Sequence, residues 1–260
     1  MVSDTQVSYQ VHGTGEPVLL IPPAATRSAV WLSHQVPALL RAGYQAITFD
    51  SRGTPPSAAP LGPYRLADLV ADAVDLITGL GVGPCRVVGA SLGAMVAQEL
   101  TLARPDLVTA AALLCTRCRT DFFRGTAARA LAARVRDGDH TDYDAVGSLL
   151  QLFSARTLAD DHAAADWFEV FRTFPARGPG LAAQYEATVI DDRRAALRGV
   201  RRPCLVMGFA EDVLTPPSLC REVADSIPGC RYVQIAECGH FGFLERPDEV
   251  NAVLLDFFGT

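Results

Sequence analysis

The 260-residue sequence predicts an α/β protein: a mostly parallel central sheet flanked by helices, with a helical segment inserted between its two halves. Three observations lead there. Short apolar runs alternate with helix-period segments from Val7 to Cys115. That alternation is the mark of strands joined by crossover helices. From Arg117 to about Gly199 only helical patterns are found, and strand-like runs then return. The division expected is a core made of residues 1–118 and 199–260, and a helical lid over residues 119–198.

Val7 to Val11 alternates apolar and polar residues, as a half-buried strand does. A turn at His12-Gly13-Thr14-Gly15 follows. Val18-Leu19-Leu20-Ile21 is a continuous apolar run closed by Pro22-Pro23, the pattern of a strand buried on both faces. Ala29 to Ala42 reads as a helix with Gly43 at its C-terminal end. Gln45 to Phe49 is the next strand, followed by a Gly/Pro/Ser-rich loop from Ser51 to Pro63. Leu66 to Leu80 has helical apolar spacing. Arg86-Val87-Val88 reads as a strand, Leu92 to Ala103 as a helix and Ala110 to Cys115 as a strand. In the inserted segment the helical candidates are Gly125 to Val135, Tyr143 to Phe153, Ala163 to Phe174 and Leu181 to Val189. The last strands are Cys204 to Met207 and Arg231 to Ile235, and Pro247 to Phe258 closes the chain as a helix.

The composition narrows the partners. The net charge is -6, and positive charge gathers nowhere into a block, so nucleic acid is not expected. The apolar runs fall short of the ~20 residues that span a bilayer, so no membrane is expected either. The N-terminus lacks a basic stretch followed by an apolar one, which argues for a cytoplasmic location. All basic residues are arginine and alanine is abundant, which fits a GC-rich coding sequence. The seven cysteines are irregularly spaced, and Cys115 sits in an apolar run. Reduced, mostly buried thiols follow. Cys115 and Cys118 form a C-x-x-C pair, but no second pair accompanies them, so zinc is not expected.

Gly89-Ala90-Ser91-Leu92-Gly93 is a Gly-x-Ser-x-Gly segment set between a strand and a helix. A plain glycine-rich turn is the ordinary alternative, but the flanking elements favour a sharp turn that lifts a serine hydroxyl above the sheet. The Leu92 N–H then faces the same space and can hold an oxyanion, aided by the helix dipole. A serine hydroxyl needs a base, and the base needs an orienting carboxylate. His240 follows the last strand directly. His12, His34, His140 and His162 read as ordinary polar residues of a turn, a helix and the inserted segment. Asp212 follows the penultimate strand, with Glu211 its neighbour and rival.

Taken together, these segments resemble the α/β-hydrolase superfamily, and within it the small esterases, lactonases and enol-lactonases. The order Ser91, Asp212, His240 matches the family's nucleophile, acid and histidine order. Asp50-Ser51-Arg52-Gly53-Thr54-Pro55-Pro56-Ser57 is similar to the family's D-x-R-G-x-G-x-S loop, with proline in place of a usual glycine. Gly208 to Pro216 resembles its acid loop, which selects Asp212 over Glu211. Gly239-His240-Phe241 and Glu245-Arg246-Pro247 resemble its C-terminal signature. The likeness covers the chain apart from the insertion. One departure is chemical. Where the family has His-Gly before the second oxyanion donor, this chain has Pro22-Pro23, and proline has no N–H. The second donor expected is then Ala24, with Ala25 as the alternative and an altered hole as the other reading of Pro22-Pro23.

The resemblance implies acyl transfer to water without metal or organic cofactor. The substrate is a small, largely apolar ester, lactone or thioester, handled by Ser91, Asp212 and His240 with Leu92 and Ala24 as oxyanion donors. A tailoring step in secondary metabolism fits the composition. Phe122, Phe123, Phe153, Trp167, Phe168, Phe171, Phe174 and Tyr185 either cover the site or pack the insertion onto the core. Ala25, Trp167, Phe171 and Phe241 are the candidate substrate contacts. Two other readings use the same residues: a cyclase, lyase or carbon–carbon hydrolase with His240 as base, and a ligand-binding protein without turnover. The sequence leaves the oligomeric state open.

Overall fold

The structure, a computed structural model, describes residues 7–138 and 140–259. Seven strands form one sheet: β1 (Tyr9–His12), β2 (Glu16–Ile21), β3 (Tyr44–Phe49), β4 (Cys85–Ala90), β5 (Val108–Leu114), β6 (Cys204–Phe209) and β7 (Arg231–Ile235). Their order across the sheet is β1-β3-β2-β4-β5-β6-β7. Only β1 runs antiparallel to its neighbour. The α/β architecture is therefore as the sequence predicts.

Continuous apolar runs make buried strands because each face of the sheet is covered. In β2, Leu19 and Ile21 enter one core, while Val18 and Leu20 enter the other. The first core is closed by α2 (Leu66–Leu80), α3 (Leu92–Ala103) and α10 (Pro217–Ser226). The second is closed by α1 (Gln35–Arg41) and α12 (Pro247–Gly259). Among the described residues, no helix is long and apolar enough to cross a membrane. All seven cysteines are free, and six of them are buried.

Five elements depart from the sequence expectation. The helix read over Ala29 to Ala42 is a 3-10 turn at Ser28–Trp31 followed by α1. Pro37 accounts for the break: its ring excludes the carbonyl four residues back, so it is tolerated only in a first helical turn. Helix α10 has no counterpart in the sequence pattern read above, although Pro217 starts it and Leu219, Cys220, Val223 and Ala224 form its buried face. Short helices also occur at α6 (Ala155–Leu158), α9 (Arg194–Leu197) and α11 (Gly242–Glu245).

Between β5 and β6 the described chain is helical: α4 (Phe122–Asp137), α5 (Asp142–Leu152), α6, α7 (Asp161–Thr173), α8 (Pro179–Ala187) and α9. Helix α8 enters the core most closely. Gly180 packs so tightly on Gly53 that a Cβ at Gly53 would lie 2.6 Å from the Gly180 carbonyl oxygen. Gly53 also has φ +87, so glycine is required there twice over. This contact seats the inserted helices beside the loop that follows β3.

Candidate active site

Ser91 is the hinge between β4 and α3. Its backbone sits at φ 54 and ψ -117, a region that costs a non-glycine residue ~1–3 kcal/mol. The Ser91 N–H donates to the Leu114 carbonyl at 3.0 Å, tying the turn to β5. Neither flanking glycine can carry a side chain. A Cβ on Gly89 would lie 2.2 Å from the Gly93 carbonyl oxygen, and one on Gly93 would lie 2.2 Å from that of Ile21. The second approach presses the end of β2, and the loop after it, against the serine turn. The Leu92 N–H lies in the first turn of α3, where helical amides have no intrahelical acceptor.

Asp212 and His240 come from the loops after β6 and β7. Parallel strands end at one edge of the sheet, so both loops meet above Ser91. His240 Nδ1 lies 2.8 Å from Asp212 Oδ2. The Thr215 hydroxyl donates to the same oxygen at 2.7 Å, and the Leu214 and Thr215 N–H groups donate to Oδ1 at 2.8 Å each. Both Asp212 and His240 are 3 % exposed. Burial alone would raise the carboxyl pKa, but His240 and the Thr215 donors outweigh it and hold Asp212 below the usual range. Asp212 is thus an ionised, fully bonded partner, and it leaves the imidazole Nε2 free for proton transfer. Glu211 points elsewhere, and its carboxylate accepts from the Ala155 N–H at 3.2 Å.

The histidine loop is clamped to the inserted helices. Glu245 accepts the Gly239 N–H at 2.6 Å on one oxygen. On the other it accepts the Ser154 N–H at 2.9 Å and the Ser154 and Thr157 hydroxyls at 2.6 Å each. The Phe241 N–H donates to the Leu152 carbonyl at 2.8 Å.

Behind Pro22-Pro23 the loop turns sharply, and Ala25 has φ 53. The Ala25 N–H is already engaged, donating to Gln184 Oε1 at 2.6 Å. Gln184 is fully buried on α8, and its amide nitrogen donates to the Arg52 carbonyl at 2.7 Å and the Thr54 hydroxyl at 2.8 Å. The Ala25 N–H is therefore not free to hold an oxyanion.

Ser91, His240, Phe241, Ala24 and Ala25 line one cavity of about 150 Å³, with Phe171, Phe174 and Tyr185 from the inserted helices. Trp167 does not line it. Its ring packs 4.8 Å from that of Phe153 and 6.3 Å from that of Phe171, so it backs the wall rather than facing the substrate space. The helical period puts Trp167 and Phe171 on one face but does not say which of them meets the cavity. His140, read from the sequence as an ordinary polar residue, also lines it. Gln184, Thr215, Glu245 and His140 are the site residues that sequence reasoning missed. For Glu245 and Thr215 a signal existed, since each lies within a segment that carried the family resemblance.

Cys115, Asp212 and His240 place a sulfur, an oxygen and a nitrogen within 4.8 Å of one another. They make a poor metal cage. The Asp212 oxygens are already bonded, and burial pushes the Cys115 thiol well above its ordinary pKa, keeping it protonated.

Comparison with known proteins places this geometry in a family. A model of the alpha/beta hydrolase family matches residues 11–253. A Mycobacterium tuberculosis H37Rv protein, the candidate non-heme bromoperoxidase BpoC, is 44% identical over 257 residues, 98% of each chain. Its crystal structure superposes with a TM-score of 0.92, covering 98% of this chain and 96% of that one at 43% identity. A candidate carbamate hydrolase, RutD of Azorhizobium caulinodans, is 28% identical over 98% of this chain and 96% of its own. The enol-lactonase of Burkholderia xenovorans LB400 has a TM-score of 0.88 at 26% identity, covering 100% of this chain and 98% of that one. With its sheet order, its strained serine turn and a family match along nearly its whole length, this chain belongs to the α/β-hydrolase family and is an enzyme of that family.

Proposed function

We propose that this hydrolase cleaves an ester, lactone or thioester of a small, largely apolar metabolite through an acyl-enzyme on Ser91. Ser91 Oγ adds to the substrate carbonyl while His240 Nε2 takes its proton. Asp212 holds the imidazole through Nδ1 and stabilises its charged form. The Leu92 and Ala24 N–H groups hold the oxyanion. The tetrahedral adduct collapses, His240 protonates the leaving group, and the acyl chain remains on Ser91. Water, deprotonated by His240, then adds to the acyl carbon and frees the acid. The inserted helices act as a lid whose aromatic side chains exclude bulk water. No cofactor enters these steps.

The observation that carries this reading is that His240, held by the buried Asp212, lines the same cavity as a serine in a strained turn. Intact-protein mass spectrometry after fluorophosphonate treatment tests it. One adduct on the wild type and none on Ser91→Ala is the expected result. No adduct on well-folded wild type would defeat it.

The name of the Mycobacterium tuberculosis relative favours a second use of the same intermediate. If hydrogen peroxide replaces water, it adds to the acyl carbon and Ser91 leaves as its alcohol. The product is a peracid, which oxidises bromide while being reduced to the carboxylic acid. Bromination that needs acetate, peroxide and Ser91 together would support this reading. Bromination by Ser91→Ala at the wild-type rate would exclude it.

A further inference from the structure

The cavity at Ser91 is small. At about 150 Å³ it lies below the ~300–1,000 Å³ of usual ligand pockets. Part of its wall is shared. Leu131, His140, Ser148, Gln151, Tyr185 and Leu214 also wall a second chamber of about 580 Å³ between α4 and α5. The two volumes together fall within the usual range.

The chamber has a definite chemistry. Phe123, Ala127, Ala130, Val135 and Val213 give it apolar walls. Its charged wall residues, Arg134 and Asp144, are paired to each other at 2.6 Å, which leaves no net charge to meet a ligand. At its lip Phe123 is 61% exposed and Tyr143 83%. On the wall that the two cavities share, called the neck below, His140 Nε2 is buried and has no hydrogen-bond partner among the described residues. A buried polar atom without a partner costs ~1–3 kcal/mol, which a ligand group can recover.

We propose that the chamber is a second substrate subsite. It takes the neutral, apolar arm of an elongated ester or thioester whose carbonyl sits on Ser91. His140 binds a hydrogen-bonding group where that arm leaves the carbonyl. The idea rests on the serine-hydrolase reading and narrows it: acetyl-sized esters fill only the inner cavity, and the natural substrate is longer.

Gly147 offers the test, because it lines the chamber and a Cβ there meets nothing within 4 Å. A tryptophan at that place fills the chamber without straining α5, since helices favour other residues over glycine. Wild type and Gly147→Trp are treated with ethyl and octyl fluorophosphonates, and labelling of Ser91 is timed. Octyl labelling should be at least about tenfold faster in wild type, and Gly147→Trp should remove that preference. For the neck, ethyl 3-hydroxyoctanoate is compared with ethyl octanoate, and His140→Leu should abolish the preference for the hydroxylated ester. Equal labelling by the two probes, or a ratio unmoved by Gly147→Trp, overturns the subsite. An ester preference unmoved by His140→Leu overturns the role of the neck. If neither probe labels, the serine-hydrolase reading itself has failed. The chamber is then judged by calorimetric titration of octanol into Ser91→Ala, with and without Gly147→Trp. Binding weakened about tenfold by the added tryptophan supports the chamber, and no binding overturns it.

Discussion

Gln184 lies 93 residues beyond Ser91, on an inserted helix, yet its side chain carries the loop from which the proposed second oxyanion donor projects. Replacing it with alanine removes three hydrogen bonds, to the Ala25 N–H, the Arg52 carbonyl and the Thr54 hydroxyl. At ~1 kcal/mol net for each, stability should fall by about 3 kcal/mol, less whatever water entering the gap restores. The catalytic effect has a separate origin. Ala25 holds a left-handed backbone that disfavours alanine by ~1–2 kcal/mol, and the 2.6 Å bond to Gln184 is what opposes its relaxation. With Ala24 as the proposed donor, relaxation of the loop displaces its N–H, and losing one such donor costs ~10²–10³ in rate. Gln184→Ala should therefore lower kcat by ~10–10³ and leave KM nearly unchanged, because the donor acts in the transition state. Gln184→Glu keeps an acceptor for the Ala25 N–H and loses the donor to the Arg52 carbonyl, so its kcat should fall between the two. The assay is steady-state hydrolysis of an activated ester, with melting curves to separate folding from rate. A Gln184→Ala enzyme that melts earlier but keeps kcat within about threefold would refute the argument, since the loop would then hold its shape unaided.

Four further outcomes follow from the geometry. Asp212→Asn should reduce kcat by ~10⁴, because the amide cannot stabilise the imidazolium and favours the wrong tautomer; rates against an ester with wild-type folding checked by circular dichroism decide it. Because the folded Asp212 pKa is depressed, its contribution to stability is full above the unfolded carboxylate value of ~3.9 and is lost as pH falls through the lower folded value. Denaturant titrations between pH 5 and pH 3 should show a shallower decline in Asp212→Asn than in wild type, and parallel declines would contradict this. Glu245→Ala leaves the Gly239 and Ser154 amides without an acceptor and frees the histidine loop, so kcat and melting temperature should both fall, with Ser91 still labelling slowly. Gly93→Ala forces a methyl to within 2.2 Å of the Ile21 carbonyl oxygen, and soluble yield should collapse; a well-folded, active Gly93→Ala protein would mean that β2 can yield there.

What the sequence makes legible, and what it hides, divides by distance along the chain. The serine turn is local. Gly89 and Gly93 flank Ser91 two residues away on each side; the clash that demands Gly89 lies within the turn itself, against Gly93, and the one that demands Gly93 is against the end of β2. Asp212 and His240 are far apart in sequence, but each follows a strand directly, and parallel strands deliver their C-terminal ends to one edge. Topology alone therefore brings them near each other, and strand-ending loops can be read from pattern. Gln184 obeys neither logic. Its partners are 159, 132 and 130 residues away, and it reaches them because α8 packs backbone to backbone on Gly53. Nothing in the period of an amphipathic helix encodes that docking. His140 is similar: it stands between α4 and α5 in the chain, and only packing brings it to the wall of the cavity that Ser91 also lines. Trp167 shows the converse, an aromatic residue of the right type on the right helix that turns towards Phe153 instead. The reaction machinery of this fold is written in strand ends and turns, whereas the shape of what it acts on is written in helix–helix packing. Within the pattern itself, the departures at Ala29 to Ala42 and at Pro217–Ser226 are of another kind. Pro37 and Pro217 both carry usable signals, one forbidding a continuous helix and one starting a new one.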